Sequence, residues 1–330
     1  EPQRLGRAGP LVAARMEGKG RLLAEARNGR RAAGSEWRLM EAEQEAIARL
    51  LTREEGKTLK ESLGELKRTV NVLEYVAGEG RRMPGETLPS ELPRNFCYTV
   101  RQPLGVDACI TPWNFPVCIP VWKIAPALVA GNTVVFKPAT LTCETASALV
   151  AVFERAGLPR GVLNMVIGSG GAVGNTLMEH PDVRAVSFTG SNEVGSQIYG
   201  RAAQRMIRAQ CEMGGKNPLV VMADADLDVA ADSAAQGPFG STGQRCTATS
   251  RVIVEEPVAD AFVEKLAERA RRLKIGNGLT AGIDMGPAVD KSQLETDLRY
   301  ISVGREEGAL IVCGGNRLQE GDHEHGYFLE

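Results

Sequence analysis

The chain has 330 residues, 43% of them hydrophobic and 24% charged, with a formal net charge of -2 at pH 7. Length and composition fit a globular protein of about two domains, and the near-neutral balance excludes the broad basic surface of a nucleic-acid or anionic-membrane binder, so neither partner is expected. The seven cysteines (Cys97, Cys109, Cys118, Cys143, Cys211, Cys246, Cys313) and three histidines (His180, His323, His325) lack metal-ligand spacing, so no metal is expected, and their odd, scattered pattern fits a reducing, cytoplasmic setting.

Residues 1–38 are rich in Arg, Gly and Ala without apolar periodicity; they are expected to be disordered or a non-native start, since an Arg-rich transit peptide would carry more serine. Helical periodicity begins at Leu39 and recurs at Met40, Ile47, Leu50 and Leu51. Thr58-Leu59-Lys60-Glu61 then fits a capping box opening a second helix, with Leu59, Leu63, Leu66, Val70 and Leu73 on one face. Pro84, Pro89 and Pro93 mark a loop. Phe96, Tyr98 and Val100 alternate after it as an exposed strand suited to an interface.

Beyond Pro103 strands and helices alternate. Strands are predicted at 106–110, 133–136 and 163–167, with helices at 121–130 and 144–156, the latter stopped by Gly157 and Pro159. Such alternation predicts a parallel sheet with helices on both faces, binding ligands beyond the carboxyl ends of its strands. Two glycine loops would lie there. In Gly168-Ser169-Gly170-Gly171-Ala172-Val173-Gly174, Val173 stands where the dinucleotide fingerprint needs its third glycine. Phe188-Thr189-Gly190-Ser191-Asn192-Glu193-Val194-Gly195, after a strand at 185–187, pairs a serine with a helix N-terminus. Each loop alone is more often a tight turn than a ligand site; together they favour a nucleotide.

A strand at 206–211 runs into Glu212-Met213-Gly214-Gly215-Lys216, where Glu212 is equally well a solvated acid or a general base. Asp224 and Asp226 suit the start of a helix at 227–239. It leads to Gly243-Gln244-Arg245-Cys246-Thr247-Ala248, a glycine-bounded loop presenting one thiol beside a cation. A neighbouring positive charge favours the reactive thiolate, although a lone cysteine is more often a small core residue. Arg245 either tunes that thiol, meets a substrate carboxylate, or makes a structural salt bridge. A strand at 251–254, helices at 259–273 and 291–307, and a strand at 310–313 complete the chain.

Several of these motifs recur, in order, in one family. With Thr111-Pro112-Trp113-Asn114-Phe115-Pro116, the run from Lys123 to Pro138, Phe188-Thr189-Gly190-Ser191, Glu212-Met213-Gly214-Gly215-Lys216 and Gly243-Gln244-Arg245-Cys246, the chain from about Leu39 resembles the NAD(P)-dependent aldehyde dehydrogenases. Glu212-Met213 and the segment from Ser241 to Ala248 are most similar to the 2,5-dioxovalerate (α-ketoglutaric semialdehyde) dehydrogenases of that family.

The resemblance implies an α/β fold of the aldehyde dehydrogenase type: a Rossmann-like parallel-sheet domain over 39–83 and 103–214, an oligomerisation hairpin at 84–102, and an incomplete α/β catalytic domain over 215–330. It implies Cys246 as nucleophile, Glu212 as a partly buried general base, Asn114 as oxyanion donor and Lys137 on the adenosine ribose, with a small-molecule aldehyde as substrate. Cofactor contacts are implied at Thr111, Pro112, Trp113, Asn114, Lys137, Ala139, Thr140, Gly170, Gly174, Phe188, Thr189, Gly190, Ser191, Val194, Gly195, Met213 and Gly214. Thr140, standing where many NAD-preferring members carry a glutamate, implies NADP or NAD with a lean to NADP. The parent assembly is expected to be a homodimer or homotetramer. The sequence stops at Glu330, before the family's Glu-Ile-Phe-Gly-Pro motif, so the catalytic domain is expected to be incomplete, with an exposed apolar surface. Two competing readings remain open at this point: a residual esterase using Cys246 and Glu212 without dinucleotide, and a cofactor-binding chain without catalysis.

Overall fold

The computed structural model describes residues 36–330, so the expectation for residues 1–35 lies outside the described residues. It contains two compact units. One comprises the described residues up to Ile47 together with Glu65–Met213; the other comprises Ala48–Gly64 and Gly214–Glu330. In chain order the elements are α1 (Glu36–Glu55), α2 (Leu59–Glu79), β1 (Thr87–Leu88), β2 (Cys97–Tyr98), β3 (Val106–Ile110), α3 (Cys118–Val129), β4 (Thr133–Lys137), α4 (Cys143–Arg155), β5 (Leu163–Met165), α5 (Asn175–Glu179), β6 (Val183–Gly190), α6 (Asn192–Gln204) and β7 (Arg208–Met213). They continue with β8 (Asn217–Val221), α7 (Leu227–Phe239), β9 (Thr249–Val254), α8 (Glu256–Arg271), α9 (Lys291–Glu306), β10 (Arg317–Leu318) and β11 (Phe328–Leu329).

The first unit is built on a five-stranded parallel sheet of order β5-β4-β3-β6-β7. The chain leaves β3 outward through β4 and β5, then returns to the other side of β3 with β6. The strand order therefore reverses between β3 and β6, the place where open parallel sheets leave a crevice at their carboxyl ends. Alternation along the strands divides the sheet into unlike faces. Val106, Ala108 and Ile110 of β3 and Val186 and Phe188 of β6 join Leu177, Met178, Ile198 and Ala202 in an apolar core under α5 and α6. The opposite face carries Asp107, Cys109, Ser187 and Gln210 beneath α3. Register places Cys109 beside Ser187, and Ser187 beside Gln210, in one row.

Helix α3 buries nine of its twelve residues and has no side-chain cap of its own. The buried Glu65 of α2 performs that task, accepting from the N–H groups of Val117 and Cys118 at 2.9 and 3.0 Å. A carboxylate here meets both the orphan donors and the positive end of the helix dipole. β1 and β2 form the expected exposed hairpin, shortened to two residue pairs.

In the second unit the capping box at Thr58 forms as expected: Thr58 N–H donates to Glu61 Oε2 at 3.0 Å and Glu61 N–H to Thr58 Oγ1 at 3.3 Å. Sequence reading assigned all of 39–83 to the cofactor domain. The contacts of 48–64 group it with this unit instead, through Leu59 N–H on Gly278 O (2.9 Å) and Ser241 N–H on Glu61 Oε1 (2.5 Å). Glycine is required where these backbones meet, since a Cβ at Gly286 would lie 2.0 Å from Gly56 O.

β8 and β9 pair in parallel, and Val221, Ala231, Ala234 and Phe262 form the core between this sheet and helices α7 and α8. β8 was not foreseen, its apolar run Leu219-Val220-Val221 being masked by the preceding Gly-Gly-Lys-Asn-Pro. The strand expected at 310–313 is absent: these residues are irregular, pair with no strand among the described residues, and Leu310 is 91% exposed. An exposed apolar surface was also expected, and Val220, Met222 and Ile253 are 59%, 50% and 55% exposed.

Candidate active site

The carboxyl ends of β3, β4 and β6 open into a cleft of ≈ 520 Å³ in the first unit. Its walls include Thr111, Pro112, Trp113, Lys137, Ala139, Thr140, Gly170, Gly174, Phe188, Thr189, Gly190, Ser191 and Val194, all expected from sequence. Asn114, Gly195, Met213 and Gly214 do not line it. Gly195 serves packing: a Cβ there would meet Met213 Sδ at 2.5 Å and Phe188 Cε1 at 3.2 Å. Gln197 and Arg201 of α6 and Asn175 of α5 also line the cleft, and sequence reading missed them.

Among the described residues, Lys137 and Arg201 are the only basic side chains lining these walls, and no carboxylate lines them. Lys137 is 7% exposed, its Nζ donates to Pro138 O at 3.1 Å, and burial pulls its pKa below the ordinary lysine value. Arg201 is held by Asn175 Oδ1 at 2.6 Å. The buried Thr111 Oγ1 has no hydrogen-bond partner among the described residues. Two cations, an unused hydroxyl and glycine turns suit a dinucleotide bearing phosphates. The two loops are more ordered than a flexible phosphate turn. Phe188, Thr189 and Gly190 belong to β6 itself, Ser191 Oγ accepts from Val194 N–H at 3.4 Å as the N-cap of α6, and Gly170–Gly174 form a wide helical turn capped by Ser169.

Glu212 lies near the end of β7 and is exposed, where partial burial is expected from the sequence; β7 is the edge strand of its sheet among the described residues. Its Oε1 accepts from Gln210 Nε2 at 3.0 Å. Gln210 Oε1 in turn accepts from Ser187 Oγ at 2.7 Å and from Lys123 Nζ at 3.1 Å. Lys123 is 6% exposed; desolvation lowers its pKa, while the nearby Cys109, Glu212, Asp107 and Cys211 act to raise it. Beneath it burial raises Asp107 to about 6, with Lys123 acting against the shift, and pushes the Cys109 thiol well up. None of Lys123, Ser187 and Gln210 was singled out from sequence, although the two-residue spacing of Gln210 and Glu212 carried the signal.

Asn114 is half-buried in the turn between β3 and α3, which Glu65 fixes by capping α3. In the second unit, Cys246 is the one exposed cysteine of the seven. The loop before it is sharply wound: Ser241 and Thr242 have φ of 51° and 57°, a left-handed conformation costly for residues with a Cβ. Several contacts hold it. Thr242 Oγ1 donates to Gly286 O at 3.1 Å, Val289 N–H donates to Gln244 Oε1 at 2.9 Å, and Asn217 Nδ2 donates to both Cys246 O (2.8 Å) and Ala248 O (2.9 Å). Arg245 makes no salt bridge among the described residues. Its Nη2 donates to Gln236 O and Gly237 O, at 2.8 and 2.6 Å, satisfying carbonyls in the last turn of α7.

Residues 30–330 match the model of the aldehyde dehydrogenase family, and the chain belongs to that family. An α-ketoglutaric semialdehyde dehydrogenase of Bacillus subtilis is 50% identical over 88% of this chain and 60% of its own length. A 2,5-dioxopentanoate dehydrogenase of Saccharolobus solfataricus is likewise 50% identical, over 88% of this chain and 60% of its own. The chain thus spans about three-fifths of these relatives' length. Among solved structures, an E. coli NADP-dependent enzyme superposes with a TM-score of 0.92 at 39% identity, over 97% of this chain and 67% of that one.

Proposed function

We propose that this chain oxidises an aldehyde, in particular the semialdehyde 2,5-dioxovalerate, to a carboxylate with NADP or NAD. The observation that carries the reading is the exposed Cys246 on a wound, multiply anchored loop in a chain whose parallel sheet opens into a cation-lined cleft. The preference for 2,5-dioxovalerate rests on the two relatives at 50% identity.

The Cys246 thiolate attacks the aldehyde carbon, forming a C–S bond and an oxyanion that accepts from the Asn114 amide and the Cys246 N–H. A nicotinamide dinucleotide, when bound in the cleft, would supply the hydride acceptor. Loss of hydride from the same carbon leaves a thioester on Cys246. Glu212 takes a proton from a water whose oxygen attacks the thioester carbon; the C–S bond then breaks, the thiolate returns and the carboxylic acid leaves. Lys137 would hold the adenosine ribose. A cleft that pairs Lys137 with Arg201, and has Thr140 where a carboxylate would repel a 2′-phosphate, favours NADP over NAD. The hairpin of β1 and β2, with Leu88, Phe96 and Tyr98 exposed, is the oligomerisation arm of a homodimer or homotetramer. The cysteine pattern favours a cytoplasmic setting, and no described helix is long and apolar enough to cross a membrane.

The test is NADPH and NADH formation with a panel of semialdehydes, beside Cys246→Ala. Turnover fastest with 2,5-dioxovalerate and abolished in the variant is expected. Undiminished turnover in Cys246→Ala would contradict the mechanism.

A further inference from the structure

Gln210 and Glu212 stand two residues apart on β7 and so share a face of the sheet. The orientation of the Gln210 amide is dictated by its neighbours. An ammonium group has only donors, so Lys123 Nζ, 3.1 Å away, requires the amide oxygen. Ser187 closes the arrangement, accepting from Lys123 Nζ at 3.1 Å and donating to Gln210 Oε1 at 2.7 Å. Lys123 also donates to Phe188 O at 3.1 Å, so its head is tied to three acceptors on β6 and β7. With the amide oxygen so committed, Nε2 points along the strand and donates to Glu212 Oε1 at 3.0 Å.

An exposed glutamate near the end of an edge strand would ordinarily sample several rotamers, and holding it in one costs side-chain entropy. We propose that Gln210 is the positioning residue for Glu212: clamped by Lys123 and Ser187, it holds one carboxylate oxygen, Oε1, so that Oε2 takes the proton from the attacking water. This inference rests on the reading of Glu212 as general base. Lys123 acts through Gln210 and does not touch the carboxylate directly. The proton moves only from water to Glu212, as the hydroxyl oxygen bonds to the thioester carbon and sulfur leaves as thiolate.

The experiment uses the full chain with p-nitrophenyl acetate, whose p-nitrophenolate burst reports acylation of Cys246 and whose steady state reports hydrolysis of the acyl-enzyme, without dinucleotide. Parent, Gln210→Leu, Glu212→Gln and the double variant are compared. Gln210→Leu is expected to keep the burst amplitude and slow the steady state about tenfold, as a misplaced base would, and to add nothing in the Glu212→Gln background. Gln210→Glu, near in shape and still able to accept from Lys123 but unable to donate when ionised, is expected to slow the same phase and carries the test if Gln210→Leu does not fold. Equal slowing in both backgrounds, or none in either Gln210 variant while Glu212→Gln slows, overturns the role of Gln210 and leaves that of Glu212 standing. No slowing in Glu212→Gln overturns the general-base reading itself and this inference with it.

Discussion

The two faces of the five-stranded sheet are built on opposite terms. Under α5 and α6 the side chains are uniformly apolar, and burial there is favourable at every position. Under α3 the same strands present Asp107, Cys109, Ser187 and Gln210 to Lys123, and desolvation works against each ionised form: Lys123 is pulled down while Asp107 and Cys109 are pushed up. One face makes the fold and the other tolerates unfavourable burial beside the proposed catalytic base. That division is what chemistry placed on a scaffold requires, since a polar network is retained against its solvation cost only where its geometry is used.

The comparison can be broken most severely from the apolar side. Leu177 is 1% exposed within that core, so Leu177→Ala should cost about 2–5 kcal/mol in denaturant unfolding. Asp107 is expected to behave in the opposite sense. Because its carboxyl rises to about 6, the folded protein keeps a proton that the unfolded chain has lost between the ordinary aspartate range and that value. The stability this proton brings is fully present below about pH 4 and is lost as pH rises through about 6. Asp107→Asn should therefore stabilise the protein at pH 8 by up to about 3 kcal/mol, an advantage that fades toward pH 4. A cost at pH 8 would show that Asp107 instead pairs productively with Lys123.

Smaller effects sharpen the account. Arg245→Gln removes donors from two carbonyls of α7 and should cost about 1–2 kcal/mol, with activity toward acidic and neutral aldehydes falling alike. A loss confined to acidic aldehydes would return Arg245 to substrate recognition. Arg201→Ala should lower kcat/KM with NADP about tenfold and leave that with NAD within about twofold, the difference expected of one charged phosphate contact.

Much of the fold was legible because its signals are local. Helix α7 begins at Leu227 and ends at Phe239 as expected, the Thr58 box closes with its predicted reciprocal bonds, and the alternation beyond Pro103 yields the parallel sheet. What failed depended on distant partners. The run at 310–313 has strand character but pairs with no described strand, whereas β8 follows a glycine pair, carries Pro218 and forms because β9 lies beside it. The site divides in the same way. Thirteen expected cofactor contacts line the cleft because they sit at strand ends and turns, readable one motif at a time. The link from Lys123 to Glu212 joins positions on a helix and two strands, brought together only by the order of the sheet. Arg245 likewise stood open in the sequence between tuning Cys246, meeting a substrate carboxylate and a structural salt bridge, and its partners, two carbonyls at the end of α7, lie eight and nine residues back.

The central claim is that Cys246 carries the substrate as a thioester that Glu212 then helps to cleave. Intact-mass and peptide analysis of Glu212→Gln after incubation with 2,5-dioxovalerate and NADP tests it most directly. The account predicts an acyl adduct on Cys246 that accumulates in this variant, is removed by hydroxylamine and is absent from Cys246→Ala. No adduct, or one carried by another residue, would contradict it.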